Sequence, residues 1–222
     1  DIVYLDNVVL ATSTNGPAAF TQNLIARFDA GDEGWVGYDN STATWAPANG
    51  FAGGGLASVD DGGGTARFQS SDAWIGDWRA FKTLRFLIRV ATNRRADFDT
   101  SVQIATWSGA NLSLTLPKPW PSWTPYTVDL KPQTFGATTN DFDATLQDVA
   151  CLWIGADLIN GSGTVDTTYL DEVALLTESG PGFPPDRWSD FESGHQGWRY
   201  GGWNTGSEDW TFSGLAPHAA TG

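Results

Sequence analysis

Cysteine is nearly absent from this chain: Cys151 is the only one among 222 residues, so no disulfide can form within it. With two histidines, His195 and His218, there is also no Cys/His set to hold zinc. Any metal must be held by oxygen. Methionine is missing altogether, position 1 included, as expected of a chain processed or cut from something larger. No apolar run reaches the ~18–20 residues a membrane-spanning helix needs. Basic residues are scarce, with 12 Lys+Arg against 26 Asp+Glu and a formal charge of −14. That field repels phosphate backbones and anionic membranes, so nucleic acid is not an expected partner. The chain holds no nucleophile elbow, Ser/His/Asp set or phosphate-cradling loop, and is read as non-catalytic. Paired carboxylates can hydrolyse glycosides, but 26 acids make chance pairs expected. What is abundant is tryptophan (12) and glycine (26), a composition that fits a secreted bacterial or archaeal β-protein.

The tail repeats the head. Asp1-Ile2-Val3-Tyr4-Leu5-Asp6-Asn7-Val8-Val9-Leu10 recurs as Asp166-Thr167-Thr168-Tyr169-Leu170-Asp171-Glu172-Val173-Ala174-Leu175, and Phe28-Asp29 with Gly34-Trp35 recurs as Phe191-Glu192 with Gly197-Trp198. Nearly equal offsets, about 165 and about 163 residues, indicate a tandem unit of that length. The expected organisation is the last strand of one repeat at 1–10, a linker at 11–27, a complete unit at 28–176, a linker at 177–190 and the opening segment of a further repeat at 191–222. Neither end fragment can bury a core of its own, so like modules of the same or a neighbouring chain are expected to complete them.

Period-two alternation recurs wherever the chain is not rich in Gly or Pro, and no stretch sustains a 3.6-residue period for more than about two turns. Leu84, Phe86, Ile88 and Val90 alternate with Arg85, Leu87 and Arg89. Val102 and Ile104 alternate with Gln103 and Ala105, and Leu112, Leu114 and Leu116 with Ser113 and Thr115. Each reads as a strand with one wet face. Cys151-Leu152-Trp153-Ile154 is apolar on both faces, as in a central strand. The one helical candidate is 140–148, capped by Thr139 or Asn140. The class is all-β: a two-sheet antiparallel sandwich of jelly-roll type with one short helix.

The ordered motifs of the complete unit, Phe28-Asp29, Gly54-Gly55-Leu56-Ala57-Ser58-Val59-Asp60, Trp74-Ile75-Gly76-Asp77, Trp123-Thr124-Pro125-Tyr126 and Tyr169-Leu170-Asp171-Glu172-Val173, resemble the laminin type IV (laminin B) domain. That family is similar to carbohydrate-binding sandwiches of the galactose-binding-like class and is non-catalytic. The resemblance implies adhesion, matrix building or glycan contact, and a structural Ca²⁺ in one corner of the sandwich. The cysteine-rich repeats that flank the domain in animal laminins are absent.

Asp171 shares the phase of Tyr169, Val173 and Leu175, which points it into or beside the core, and its copy Asp6 has the same phase. If the first and last strands are neighbours, Asp171 approaches Asp29, whose repeat counterpart is Glu192. Two carboxylates plus loop carbonyls suit Ca²⁺. Alternatively Asp171 accepts backbone or indole N–H bonds and Asp29 is solvated. Asp60-Asp61 and Asp141/Asp143 are weaker candidates, explained by a turn and a helix start. For ligand binding, sugars present apolar C–H faces that stack on exposed rings. Trp107, on the wet face with Gln103, and Trp120 and Trp123, in a Pro-rich loop, are the candidates. The alternative is that rim tryptophans pack on the next unit, while Trp35, Trp45, Trp74, Trp78 and Trp153 anchor the core. The expected function is a structural or adhesive module of a tandem-repeat surface protein or fibre; the alternative is a carbohydrate-binding accessory module of a large secreted glycoside hydrolase.

Overall fold

The computed structural model describes residues 20, 22–60, 65–160 and 166–177. They form two antiparallel sheets packed face to face. The strands are β1 (Leu24–Ala26), β2 (Val36–Asp39), β3 (Ser41–Ala46), β4 (Gly55–Asp60), β5 (Ala66–Gln69), β6 (Thr83–Val90), β7 (Thr100–Thr106), β8 (Asn111–Leu116), β9 (Thr124–Asp129), β10 (Val149–Gly155) and β11 (Asp166–Leu176). The first sheet runs β3-β4-β11-β6-β9, with β1 also pairing on β11. The second runs β2-β5-β10-β7-β8. The first and last described strands are therefore neighbours, with Leu24 opposite Leu175.

Alternation builds the core. Phe68 on β5, Val102 and Ile104 on β7, and Leu152 and Ile154 on β10 are fully buried, facing Leu84, Phe86, Ile88 and Leu170 of the first sheet. A run of rings closes one side: Phe28–Trp35, Trp35–Trp74, Trp74–Trp78, Trp78–Phe81 and Phe81–Phe20 have centroids 5.2–6.4 Å apart. Four of these five pairs meet edge-on, as the ring quadrupole favours. Trp78 also donates its indole N–H to the Trp74 carbonyl at 2.7 Å, so its burial leaves no polar atom stranded. Truncating such a side chain to Ala costs about 3–5 kcal/mol.

The structure departs from the sequence reading at definite places. β1 lies inside the segment read as the linker 11–27, and Phe20 packs on Phe81, so the folded unit begins before Phe28. Strand β6 has no wet face: between β11 and β9, every residue but Arg89 is buried. The helix stands at α2 (Thr139–Gln147), and its cap is Thr138, whose Oγ1 accepts from the Asp141 N–H at 3.2 Å. A further single turn, α1 (Pro132–Phe135), precedes it, started by Pro132 and ended by Gly136 at φ 62°. Asp60 closes β4 opposite Ser41, in a strand rather than a turn. The segments 1–10 and 191–222 lie outside the described residues, and with them Asp6, Asp61 and Glu192.

Asp171 leaves the phase of Val173 and Leu175 for a local reason. Glu172 takes φ 50°, and the β11–β6 register shifts between Asp171 and Ala174. This bulge inverts the alternation. Leu170, Val173 and Leu175 enter the core, while Tyr169 and Asp171 turn to the outer side of the first sheet.

Candidate functional site

The outer face of the second sheet carries the most organised set of side chains outside the core. Because side chains alternate, the residues between the buried ones on β5, β10 and β7 all point the same way. Register sets them in rows: Val36, Gln69, Trp153, Gln103 and Ser113 lie side by side across the five strands, and Tyr38 stands beside Arg67 in the next row. Tyr38 reaches diagonally over β5 to stack on Trp153, with ring centroids 5.0 Å apart and planes 23° from parallel. Arg67 stands on the strand between theirs, its guanidinium carbon 5.5 Å from the Trp153 ring centre.

Hydrogen bonds lock this group. The Trp153 indole N–H donates to Gln69 Oε1 at 2.8 Å, and Arg67 Nη1 donates to Gln103 Oε1 at 3.0 Å. Arg67 Nε also faces Asp39 Oδ2 at 3.4 Å, which offsets its charge. With both glutamine oxygens accepting, the amide N–H donors of Gln69 and Gln103 are their remaining capacity. The face thus offers aromatic surface, fixed by neighbours before any ligand arrives, bordered by amides, a guanidinium and hydroxyls. Cys151, half-buried in the adjoining row opposite Ala105, has its thiol pushed up by burial, away from reactivity.

The predicted ligand residues are not brought together. Gln103 is on this face. Trp107 stands past the end of β7, in the turn to β8, and is 71% exposed. Trp120 lies in the loop before β9 with Arg95 over its ring at 4.8 Å. Trp123 sits by the first sheet, edge-on to Phe51 and 5.2 Å from the guanidinium of Arg89, which also covers Tyr169 at 4.3 Å. Burial pulls the Arg89 pKa down. Trp153, expected in the core, faces outward, and Trp45 is 39% exposed, pinned by its indole N–H to the Phe28 carbonyl at 2.7 Å. Tyr38, Arg67, Gln69 and Trp153 were not identified from the sequence, although Arg67-Phe68-Gln69 and Cys151-Leu152-Trp153-Ile154 carry the alternation that places them.

Asp29, exposed, lies near enough to buried Asp171 for its charge to act on it, on the first sheet's side of the molecule. Asp171 is buried beneath the loop before β4: Oδ2 accepts the Phe51 N–H at 2.6 Å and Oδ1 the Glu172 N–H at 2.7 Å. A Cβ on Gly50 would stand 2.9 Å from Asp171 Oδ2, and one on Gly53 3.2 Å from Asp29 Oδ1, so glycine backbone wraps both carboxylates closely. Burial pushes the Asp171 pKa up to about 7, the two N–H donors oppose it, and the charges of Glu172 and Asp29 add to it. Among the described residues no three metal-ligating side chains converge. A cation here would depend on Asp29, Asp171 and backbone oxygens.

No family model matches the chain, and no curated protein matches it. The resemblance to laminin type IV domains accordingly rests on sequence motifs alone. Solved structures do match. An exo-β-agarase superposes with a TM-score of 0.52 at 14% identity, covering 75% of this chain and 26% of that one. A second agarase gives 0.51 at 14%, with the same coverage. A family 11 carbohydrate-binding module of a Clostridium thermocellum cellulosomal cellulase gives 0.46 at 12%, covering 71% of this chain and 96% of the module. This chain therefore spans about a quarter of the agarases it matches, and what they share with it is the two-sheet sandwich fold.

Proposed function

We propose that this chain is a non-catalytic carbohydrate-binding module, an accessory unit of a larger secreted polysaccharide-degrading protein. The observation that carries this is the Tyr38–Trp153 stack on an otherwise polar sheet face, held by Arg67, Gln69 and Gln103. Rings fixed in place meet the C–H face of a sugar without losing conformational freedom, and the surrounding amides and hydroxyls hydrogen-bond its hydroxyl groups. The agarases supply a precedent, since the fold occupies about a quarter of each of those chains. The tandem repeat fits the same reading, because linked weak modules gain avidity on a polymeric ligand. An adhesive or fibre-forming role would rest on the end segments, which lie outside the described residues.

The site beside Asp171 is proposed as structural Ca²⁺, held by Asp29, Asp171 and carbonyls of the 50–53 loop. The close glycine wrap and the buried Asp171 carboxylate support it, with exposed Asp29 beside it; a hard cation would supply the charge that burial otherwise disfavours.

Tryptophan fluorescence on titration with soluble polysaccharides tests the main reading. A saturable change that is strongly reduced in Trp153→Ala and in Tyr38→Ala supports it. A panel of galactan, xylan, mannan and mixed-linkage glucan that leaves the emission unchanged sinks it.

A further inference from the structure

A concave feature lies at the edge of the same sheet, away from the aromatic stack. The β7–β8 hairpin and the two helices enclose a cleft of about 540 Å³, within the range of small-molecule sites. Its walls differ in kind. On one side the hairpin contributes Thr106, Ser108, Asn111 and Ser113; on the other, Phe135, Ala137 and Ala144 of the helical segment give apolar surface, and Asp141 and Asp148 give carboxylates. No basic side chain lines it. Trp107, which in sequence stands between the lining residues Thr106 and Ser108, is exposed.

We propose that this cleft is a second saccharide site, taking one or two neutral sugar units with Trp107 as the ring that closes on them. The chemistry selects the ligand. Hydroxyl, amide and carboxylate groups exchange hydrogen bonds with sugar hydroxyls, and the apolar wall matches a C–H face. Carboxylates without a cation among the lining residues repel sulfated or uronic sugars. The walls are already fixed: Thr106 Oγ1 and Ser108 Oγ share a hydrogen bond at 2.9 Å, Thr145 Oγ1 donates to the Asp141 carbonyl at 2.8 Å, and Thr138 Oγ1 donates to Asp141 Oδ2 at 2.7 Å. Ser113 is opposite Gln103, itself opposite Trp153, so the cleft begins about 10 Å, two strand spacings, from the aromatic stack. One chain can therefore contact both, but the cleft stands as a site whether or not the stack binds.

Amide chemical-shift mapping of the ¹⁵N-labelled full chain tests this, with cellobiose, neoagarobiose and galactose as neutral probes and glucuronate as the anionic one. The expected result is a saturable shift at Ser108, Ala110, Asn111 and Ala137 with at least one neutral probe, about five-fold weaker in Trp107→Ala and unchanged in Trp153→Ala. Asn111→Ala should weaken it too, and glucuronate should move nothing. Silence at these amides with all neutral probes, an equal response to glucuronate, or a response undiminished in Trp107→Ala would overturn the proposal. Loss of stack binding in Trp153→Ala with the cleft response intact separates the two sites.

Discussion

Raising the pH in the absence of calcium should weaken this protein through Asp171. Asp171 is 2% exposed, and its pKa rises from 3.8 to about 7, chiefly through burial. The folded state therefore keeps a proton that the unfolded chain gives up. Stability from this group is fully present below about pH 4 and is lost as pH climbs through 7. At about 1.4 kcal/mol per unit of pKa difference the full effect is about 4 kcal/mol, of which about 2.5 kcal/mol falls between pH 5 and pH 8. For a domain of this size that lowers Tm by about 5–10 °C. The neighbouring acids Glu172 and Asp29 act in the same direction, while Arg27 Nε, 4.0 Å from Glu172 Oε2, is the nearby cation. The assay is thermal melting in chelator from pH 5 to 8, for the natural chain and for Asp171→Asn. The variant should melt lower at pH 5, since an amide offers one oxygen to the two backbone donors, but lose the steep decline. Calcium should restore Tm at pH 8, do little at pH 5, and do nothing in the variant. Equal pH slopes for the two proteins would refute the reasoning about burial; a Tm unmoved by calcium at pH 8 would remove the metal site.

Gly54→Ala should destabilise by about 2–4 kcal/mol in urea titrations, because its Cβ would stand 2.3 Å from the Phe28 carbonyl oxygen and 2.5 Å from Trp45 Nε1. Tyr126→Phe should cost about 1–2 kcal/mol by the same measurement, since the buried hydroxyl donates to the Pro117 carbonyl and would leave it unpaired. Thr138→Ala should cost about 1 kcal/mol through loss of the α2 cap. Trp107→Ala, removing an exposed ring, should leave Tm within the change typical of surface substitutions, about 0.5 kcal/mol.

The class of fold was legible because its cause is local. Val102, Ile104, Leu152 and Ile154 must be covered on one side, and alternation announces it. What alternation does not carry is a change of phase: the bulge at Glu172 turns Asp171 outward, and nothing in Tyr169-Leu170-Asp171-Glu172-Val173 marks it, since Glu has no preference for positive φ. Nor does it say which face of a strand is covered by a neighbour, so Arg85 and Leu87 were read as wet although β6 is enclosed. The aromatic stack failed to appear for a related reason. Tyr38, Arg67 and Trp153 are brought together by strand order, β2 beside β5 beside β10, and strand order is a long-range property. The outward placement of Gln103 is legible because its own strand alternates cleanly. That the domain's first and last strands lie together follows from the closeness of a closed domain's ends, but the strand that does so, β1, falls in the segment 11–27 that the sequence reads as a linker.

The central claim is that the second sheet's outer face binds polysaccharide through Trp153 and Tyr38. Affinity electrophoresis of the full chain in gels containing agar, xylan, mannan or mixed-linkage glucan tests it most directly, run beside Trp153→Ala and the exposed-ring control Trp120→Ala. The account predicts that at least one polysaccharide retards the natural chain and Trp120→Ala alike while Trp153→Ala is retarded much less. Retardation undiminished in Trp153→Ala, or free migration of the natural chain in every gel, would contradict it.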